Sequence, residues 1–465
     1  MRSLVLLLLL GVASSAFAQA SMPEWRLVDL GTLGGSYSCP NAINNKGDIV
    51  GQSSLKDSKF EHAVLWTKDQ AIDLGTIDGF ASSCAIGISD AGFVVGEAWV
   101  PFTAEPKKRA LTWNAHKAAQ LGALRADTPA GAAYDVNDAG LAVGRAWVND
   151  AGTKSGARAS LLEGGKATLV PACDLPDHAG TFTPEVATAV NKGGTVVGAG
   201  RALIAGTPLR RGFVYRNGVT SDPLWAFDAK SPSWVTDLND AGDLVMQRLV
   251  GDPAKNVMQP LIVRGDKVTE IAPLEGYQSA ELRAINAKGD AVGYAWNPTD
   301  GVEPMVVVQG RSIDPNKALA GASEWKIVLL TDLNDAGQIV GIARKGESTH
   351  AVRLDPVGGN GMKLASAEAP VAWTTAFAGP RPNPATSAAG AQFAFTLAQR
   401  GDVTIALTNV QGRRVRTLTG TFDAGPSTLL WDGRDDRGAR VGSGVFFARF
   451  VGLGTAATRK VVMAD

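Results

Sequence analysis

The chain has 465 residues, 45 basic against 45 acidic side chains, 54 Gly, three Cys and four His. That balance argues against a nucleic-acid partner. No stretch beyond the first twenty residues reaches the roughly 18 apolar residues a membrane helix needs, and the length exceeds one ordinary domain.

In chain order, residues 1–20 read as a secretory signal peptide. Arg2 supplies the positive start, Leu4 to Gly11 the apolar core, and Ala16-Phe17-Ala18 a cleavage site, with Ala18-Gln19-Ala20 as a second option. The mature chain is therefore expected to be secreted or held at the cell surface, without spanning a membrane. A ten-residue phrase then recurs seven times: small or Asp, aliphatic, Asn, Asx, x, Gly, x, x, Val, Gly. Copies start at Ala42, Gly87, Asp135, Ala189, Asp237, Ala284 and Asp332, at spacings of 45, 48, 54, 48, 47 and 48 residues. The Asn-Asx-x-Gly core is a hairpin signal. Asn and Asp bond their own backbone two residues on, and Gly accepts positive φ without steric cost.

Two further signals accompany each phrase. One is a basic or His residue followed by apolar ones, as in His62-Ala63-Val64-Leu65-Trp66, Arg109 to Trp113, Arg211 to Tyr215 and His350 to Leu354. The other is Asp73-Leu74-Gly75-Thr76, whose best copy is Asp29 to Gly35. Apolar runs of four to six residues bounded by Gly and Asx fit strands. Four strands per repeat at this period predict an all-β fold, a seven-bladed β-propeller over residues 21–356. Trp25 to Leu30 reads as a fourth strand with no blade before it, and His350 to Leu354 as a third strand with no fourth after it. The first is expected to complete the blade of the second and clasp the ring.

The combination of Asp29-Leu-Gly-Thr-Leu-Gly-Gly, Ala42-Ile-Asn-Asn-Lys-Gly-Asp-Ile-Val-Gly and His62-Ala-Val-Leu-Trp resembles the HAF-type extracellular repeat of bacterial secreted proteins. The likeness covers residues 24 to about 356 and fades after the second copy. Val64 stands where the name has Phe, and Met246 replaces the terminal Gly of the fifth copy. The resemblance implies a secreted repeat protein and brings no reaction with it.

Residues 357–380 read as a Gly/Pro/Ala-rich linker. Residues 381–465 alternate short strands with Gly/Asp turns, which predicts an immunoglobulin-like β-sandwich. This piece carries 11 Lys+Arg against 6 Asp+Glu, counted from residue 380; the rest of the mature chain has 33 against 39. Arg381-Pro-Asn-Pro, Gly412-Arg-Arg-Val-Arg, Trp431-Asp-Gly-Arg-Asp and Ser443-Gly-Val-Phe are similar to the immunoglobulin-like domain of the flagellar hook-capping protein and to the C-terminal sorting domains of type IX secretion substrates. The resemblance implies a sorting, anchoring or assembly module, with secretion or surface-attachment machinery as partner.

Chemistry is sparse. There is no P-loop, no Gly-x-Ser-x-Gly elbow and no HExxH, so neither a catalytic residue nor a cofactor is expected. His62 and His350 share one repeat position and read as structural, and His116 and His178 stand alone. The Asp-x-Asn-Asp-x-Gly copies at Asp135, Asp237 and Asp332 lack the acids that a calcium loop needs at its fifth and twelfth places. Asp432, Asp435 and Asp436 are metal candidates. Trp99, Trp147 and Trp296, each three residues after a terminal Gly, read either as inter-blade core or as a platform for a glycan or protein ligand. Cys39 and Cys84 occupy equivalent places in adjacent repeats and are expected to pair, leaving Cys173 alone. The expected function is a non-enzymatic binding or display scaffold. The alternatives are a carbohydrate-active or hydrolytic propeller, which needs converging acids at the axis, and a subunit of a surface filament. Loop carboxylates occur at Glu105, Asp174, Asp177 and Asp300.

Overall fold

The computed structural model describes residues 23–464 except 69, 102–107, 115–116, 122–130, 149–155, 164–165, 177–178, 252–256, 358–374, 387–389 and 423–424. The expected signal peptide, His116, His178, Glu105 and Asp177 therefore lie outside the described residues. The fold is all-β. Each phrase forms the hairpin between the first two strands of an antiparallel meander. The first is Gly34–Ile43, Ile49–Leu55, Glu61–Thr67 and Gln70–Gly75, and the second runs from Ser82–Ile88 to Lys117–Gln120. The sixth, from Ser279–Ile285 to Arg311–Ile313, keeps the same order. The fourth is wider, because Cys173–Asp174 adds a short fifth strand beside Gly180–Val190.

The seventh meander has only three strands of its own: Lys326–Leu333, Ile339–Lys345 and Ser348–Pro356. Its fourth is Trp25–Asp29, paired antiparallel with Ser348–Pro356 from Trp25↔Pro356 to Asp29↔Val352. Trp25 is fully buried, in a core with Val306, Ile313, Ile327 and Leu354. The edge left by the seventh repeat is covered by the chain's own start.

The recurrent terminal Gly follows from close packing of the first two strands. A Cβ on Gly51, Gly96 or Gly144 would lie 2.0 Å from the carbonyl oxygen of Cys39, Cys84 or Ala132 respectively. In the fifth repeat Met246 holds this place, fully buried. The neighbouring repeat accommodates it with Gly212, whose Cβ would stand 3.0 Å from the Met246 Cε.

The C-terminal strands form a separate hydrogen-bonded set. Its order begins with Arg414–Phe422, Gly401–Asn409, Gly444–Gly452 and Thr455–Ala464, and continues through Ala376–Thr386 and Gly390–Leu397 to Gly425–Trp431. It has its own aromatic core, including Phe377, Phe393, Phe395, Phe422, Trp431, Phe446 and Phe450. A strand overlaps the end of the expected linker. Ala376–Thr386 begins before residue 380, and Phe377 stacks on Phe450 at 5.2 Å. Burial of one aromatic side chain outweighs the surrounding Gly and Pro.

Candidate functional site: the axial mouth and the strand-two aromatics

The Asn of each phrase does two jobs. Its Oδ1 closes the local turn, as where Lys46 N and Asp48 N donate to Asn44. Its Nδ2 leaves the repeat and donates to the backbone carbonyl at the equivalent place in the next one. The links run Asn44 to Ser89, Asn137 to Asn191, Asn191 to Asn239, Asn239 to Asn286, Asn286 to Asn334, and Asn334 back to Asn44, at 3.0–3.3 Å. The sequence pattern suggested only the local role. These six amide bonds join the turns of successive repeats into a chain that returns to its start at Asn44.

One link is missing. Ser89 replaces Asn in the second repeat and carries no amide to offer Asn137. Its hydroxyl keeps the local bond from Phe93 N at 3.2 Å. Across this junction Ala91 N donates to Asp138 at 2.7 Å, and Gly87 lets the third repeat come so near that a Cβ would lie 2.9 Å from Asp135 Cα. Ser89→Asn is expected to complete the cycle and stabilise the protein by about 1 kcal/mol, the usual net worth of one such bond. Chemical denaturation of the two proteins in parallel measures it, and an unchanged or lower midpoint contradicts it.

The three Asp at the head of the phrase join neighbouring repeats. Asp135 accepts from Val190 N at 2.8 Å, Asp237 from Ile285 N at 2.9 Å and Asp332 from Ile43 N at 2.8 Å. They tie the third repeat to the fourth, the fifth to the sixth and the seventh to the first. Burial pushes Asp135 up to about 6 and Asp332 up to about 7. Burial, with Asp332 nearby, pushes Asp237 well above the ordinary carboxylate range. An acid whose folded pKa is raised favours the folded state while both states are protonated. That advantage is lost as pH rises from about 4, the unfolded value, through the folded values near 6 and 7. Melting temperature is therefore expected to fall between pH 5 and pH 8, and Asp332→Asn should flatten the fall. A flat wild-type profile over this range contradicts the assignment.

Beside the Asn cycle, the mouth carries the next residue of each phrase: Asn45, Asp90, Asp138, Lys192, Asp240, Ala287 and Asp335. Lys192 Nζ lies 3.0 Å from Asp90, 3.5 Å from Asp240 and 3.8 Å from Asp138, so one cation spans the acids of three other repeats. Its bond to Asp90 holds the ammonium above its ordinary pKa. Asp90, Asp240 and Asp335 also accept backbone N–H groups of the preceding repeat, at 2.7, 2.9 and 2.8 Å. The axial acids are thus engaged in holding repeats together.

The remaining candidates fall as follows. His62 Nδ1 lies 3.0 Å from Asp73, and His350 Nδ1 2.9 Å from Asp29 on the N-terminal strand. Asp29 and Asp73 each also accept the N–H of the Gly two residues on. Arg211 and Asp222 form the same pair in the fourth repeat. The fixed separation of 11 residues, 62 to 73 and 211 to 222, was the available signal for this pairing. The expected Cys39–Cys84 bridge is corrected: both are free thiols, as is Cys173. Asn41 Nδ2 donates instead to the Cys84 sulfur and to the Ala85 carbonyl, at 3.1 and 2.8 Å. Asp432, Asp435 and Asp436 accept backbone N–H groups of Arg434, Arg437 and Thr417. No group of three acidic, His or Cys side chains able to hold a metal occurs among the described residues. Asp174 lies in the short fifth strand, and Asp300 is held by Asn297. Trp66 and Trp113 are core, whereas Trp99 and Trp296 are half-buried and Trp147 is 37 % exposed. The strand-two tryptophans thus stand at the surface end of strands whose Val95, Val143 and Val292 are buried.

No helix among the described residues is long and apolar enough to cross a membrane. No protein-family model matches the chain, and no curated protein matches it. Among solved structures it is similar to PorZ, a surface component of the type IX secretion system of Porphyromonas gingivalis. Identity there is 12 % over 92 % of this chain and 70 % of that one, with a TM-score of 0.29. It is similar to the β-propeller domain of the Trilobed protease from Pyrococcus furiosus, at 9 % identity over 73 % of this chain and all of that one, TM-score 0.41. It is also similar to a prolyl endopeptidase, at 11 % identity over 80 % of this chain and 54 % of that one, TM-score 0.45. These likenesses, all with TM-scores below 0.5, transfer neither an activity nor a partner.

Proposed function

We propose that residues 21–356 are a seven-bladed β-propeller acting as the binding scaffold of an exported, non-enzymatic protein, and that the C-terminal strands are an immunoglobulin-like sandwich for sorting or attachment. The observation that carries the reading is the engagement of the axial polar groups. Asn amides, Asp carboxylates and Lys192 bond repeat to repeat, so the axis works as a joint. The aromatic positions on the second strands are left as the surface for a protein or glycan ligand. The basic C-terminal piece, with its own core, suits a separate docking role in which Arg forks meet carboxylates or phosphates.

A glycan array and a glycosidase and peptidase panel, both run on the mature chain, test the scaffold. The expected result is retention of a ligand with no product formed; turnover abolished by substituting one axial acid overturns it. Fusing residues 357–465 to an exported reporter tests the second part. Delivery of the reporter to the surface supports sorting. A reporter that stays behind, together with correct delivery of the truncated native chain, leaves the piece as a spacer.

A further inference from the structure

Two repeats carry the same three residue types at the same three places. In the third these are Tyr134, Arg145 and Trp147; in the sixth, Arg283, Tyr294 and Trp296. Tyr134 and Arg283 are the bulged residues of the first strand, where the register skips between Ala133 and Asp135 and between Leu282 and Ala284. A bulged residue is freed from the ladder and its side chain is re-aimed. Arg145 and Tyr294 each follow a terminal Gly by one, and the tryptophans follow it by three, so both side chains of a repeat share a sheet face. Arg and Tyr have exchanged places between the two repeats, yet the pair is kept. The Arg145 guanidinium lies 5.9 Å from the Tyr134 ring and 5.6 Å from the Trp147 ring, and that of Arg283 lies 5.5 Å from the Tyr294 ring. Arg283 is exposed and Arg145 half-buried. Neither has an ion pair among the described residues.

We infer that these trios are two equivalent subsites for the sugar units of an acidic, uronate-bearing polysaccharide. The inference rests on the scaffold reading above and names its ligand. A guanidinium within about 6 Å of aromatic rings is attracted to them, and its planar fork of N–H donors suits a planar, bidentate acceptor. A carboxylate is such an acceptor. The adjacent indole offers the flat apolar surface on which the C–H face of a pyranose stacks. A uronate brings both groups in one unit, with the exocyclic carboxylate just beyond the stacked ring, where the guanidinium stands. An acidic peptide supplies the carboxylate without the ring, and a neutral glycan the ring without the carboxylate.

The subsites differ in two respects, the first being that among the described residues only the third-repeat guanidinium also approaches its indole, at 5.6 Å. In the sixth repeat Glu281 faces Tyr294 across the strands and accepts its hydroxyl at 2.9 Å, so a resident carboxylate already sits there. The matching partner of Arg145 is Ala132. The third repeat is therefore the stronger subsite.

Calorimetric titration of the mature chain with oligogalacturonate, oligoalginate and hyaluronan fragments tests this, with methyl-esterified oligogalacturonate and polyglutamate as controls. Binding of at least one uronate oligomer is expected, weakened about tenfold by Arg145→Gln, as for loss of one charge-assisted bond. Trp147→Ala should weaken it likewise, and Arg283→Gln should weaken it less. Esterification should abolish the arginine dependence. Equal binding of ester and acid overturns the uronate assignment while leaving a glycan scaffold standing. Equal binding of polyglutamate overturns it in favour of a plain cationic patch. Failure to bind any glycan overturns both the subsites and the glycan form of the scaffold. Unchanged melting of the variants shows that the fold is intact, and Arg145→Lys, which keeps the charge without the planar fork, should restore only part of the affinity.

Discussion

Trp25→Ala is expected to lower the stability of the ring by about 3–5 kcal/mol, the range for truncating a fully buried large aromatic. The effect should exceed that of any other single change in the N-terminal strand. Trp25 anchors that strand from both sides: its carbonyl accepts Ala320 N at 2.8 Å, and the flanking Glu24 carbonyl accepts Val357 N at 2.9 Å. Further along, Leu30 N donates to Ala351 O, and His350 meets Asp29. Losing the anchor frees a five-residue strand and bares the edge of Ser348–Pro356, a template for pairing with another chain. Deleting residues 21 to 34 should do the same more severely, with aggregation on heating. Trp25→Phe separates packing from hydrogen bonding. The Trp25 Nε1 has no hydrogen-bond partner among the described residues, so Phe keeps most of the buried area and removes an unsatisfied donor. It should cost far less than Ala. Thermal melts of the three variants decide the matter. If Trp25→Ala melts with the wild type, the strand does not hold the ring shut.

The repeat itself was legible because turn chemistry is local. Asn and Gly announce a hairpin wherever they stand, and the terminal Gly reports a carbonyl about 2 Å from where its Cβ would be. The pairing of the orphan strand could be read from bookkeeping at the two ends. What escaped is what depends on neighbours. The Asn side chain shows its turn in sequence, but the carbonyl that its Nδ2 reaches lies 45 to 54 residues on, or 290 residues back at the closure. The alternation of Asp135, Asp237 and Asp332 with Ala189, Ala284 and Ala42 is visible in the phrase. Its meaning is not, until the backbone N–H of the following repeat is seen to receive each carboxylate. Seven is odd, so three such pairs leave one repeat over. That is the second, where Gly87 and Ser89 replace both linking side chains. Equivalent positions likewise suggested a Cys39–Cys84 bridge, but both thiols are free, and the Asn41 amide donates to the Cys84 sulfur. The tryptophans stayed ambiguous for a related reason: parity assigns a face, and only the length of the strand decides whether that face is still covered at its end.

Arg211→Ala is expected to be the most damaging change on the third strands, by about 3–5 kcal/mol, because it leaves a buried charge without its partner. Arg211 and Asp222 are both shielded from solvent, with side-chain exposures of 0 % and 1 %, and Arg211 Nε donates to Asp222 at 2.7 Å. Nη1 donates to the Ser231 carbonyl at 2.6 Å. The corresponding pair in the first repeat, His62 and Asp73, is much more exposed, at 20 % and 43 %, and its loss should cost little. Burial raises the Asp222 pKa while Arg211 pulls it down. Without the guanidinium, burial is opposed only by the Leu224 N–H that Asp222 accepts at 2.9 Å, so the pKa rises further. The variant's Asp222 then holds its proton to higher pH in the folded state than in the unfolded one, so the variant is penalised progressively as pH rises above the unfolded value near 4. Its deficit against wild type should be small near pH 4 and largest near pH 8. A deficit of equal size at both pH values would assign the loss to packing alone. The double variant Arg211→Met with Asp222→Leu removes both charges and should recover most of the stability, since a buried ion pair is commonly worth no more than a well-packed apolar one. Full recovery would mean that the pair selects this position's partner without adding net stability, whereas no recovery would place the stabilisation in the Ser231 bond that tethers the following loop.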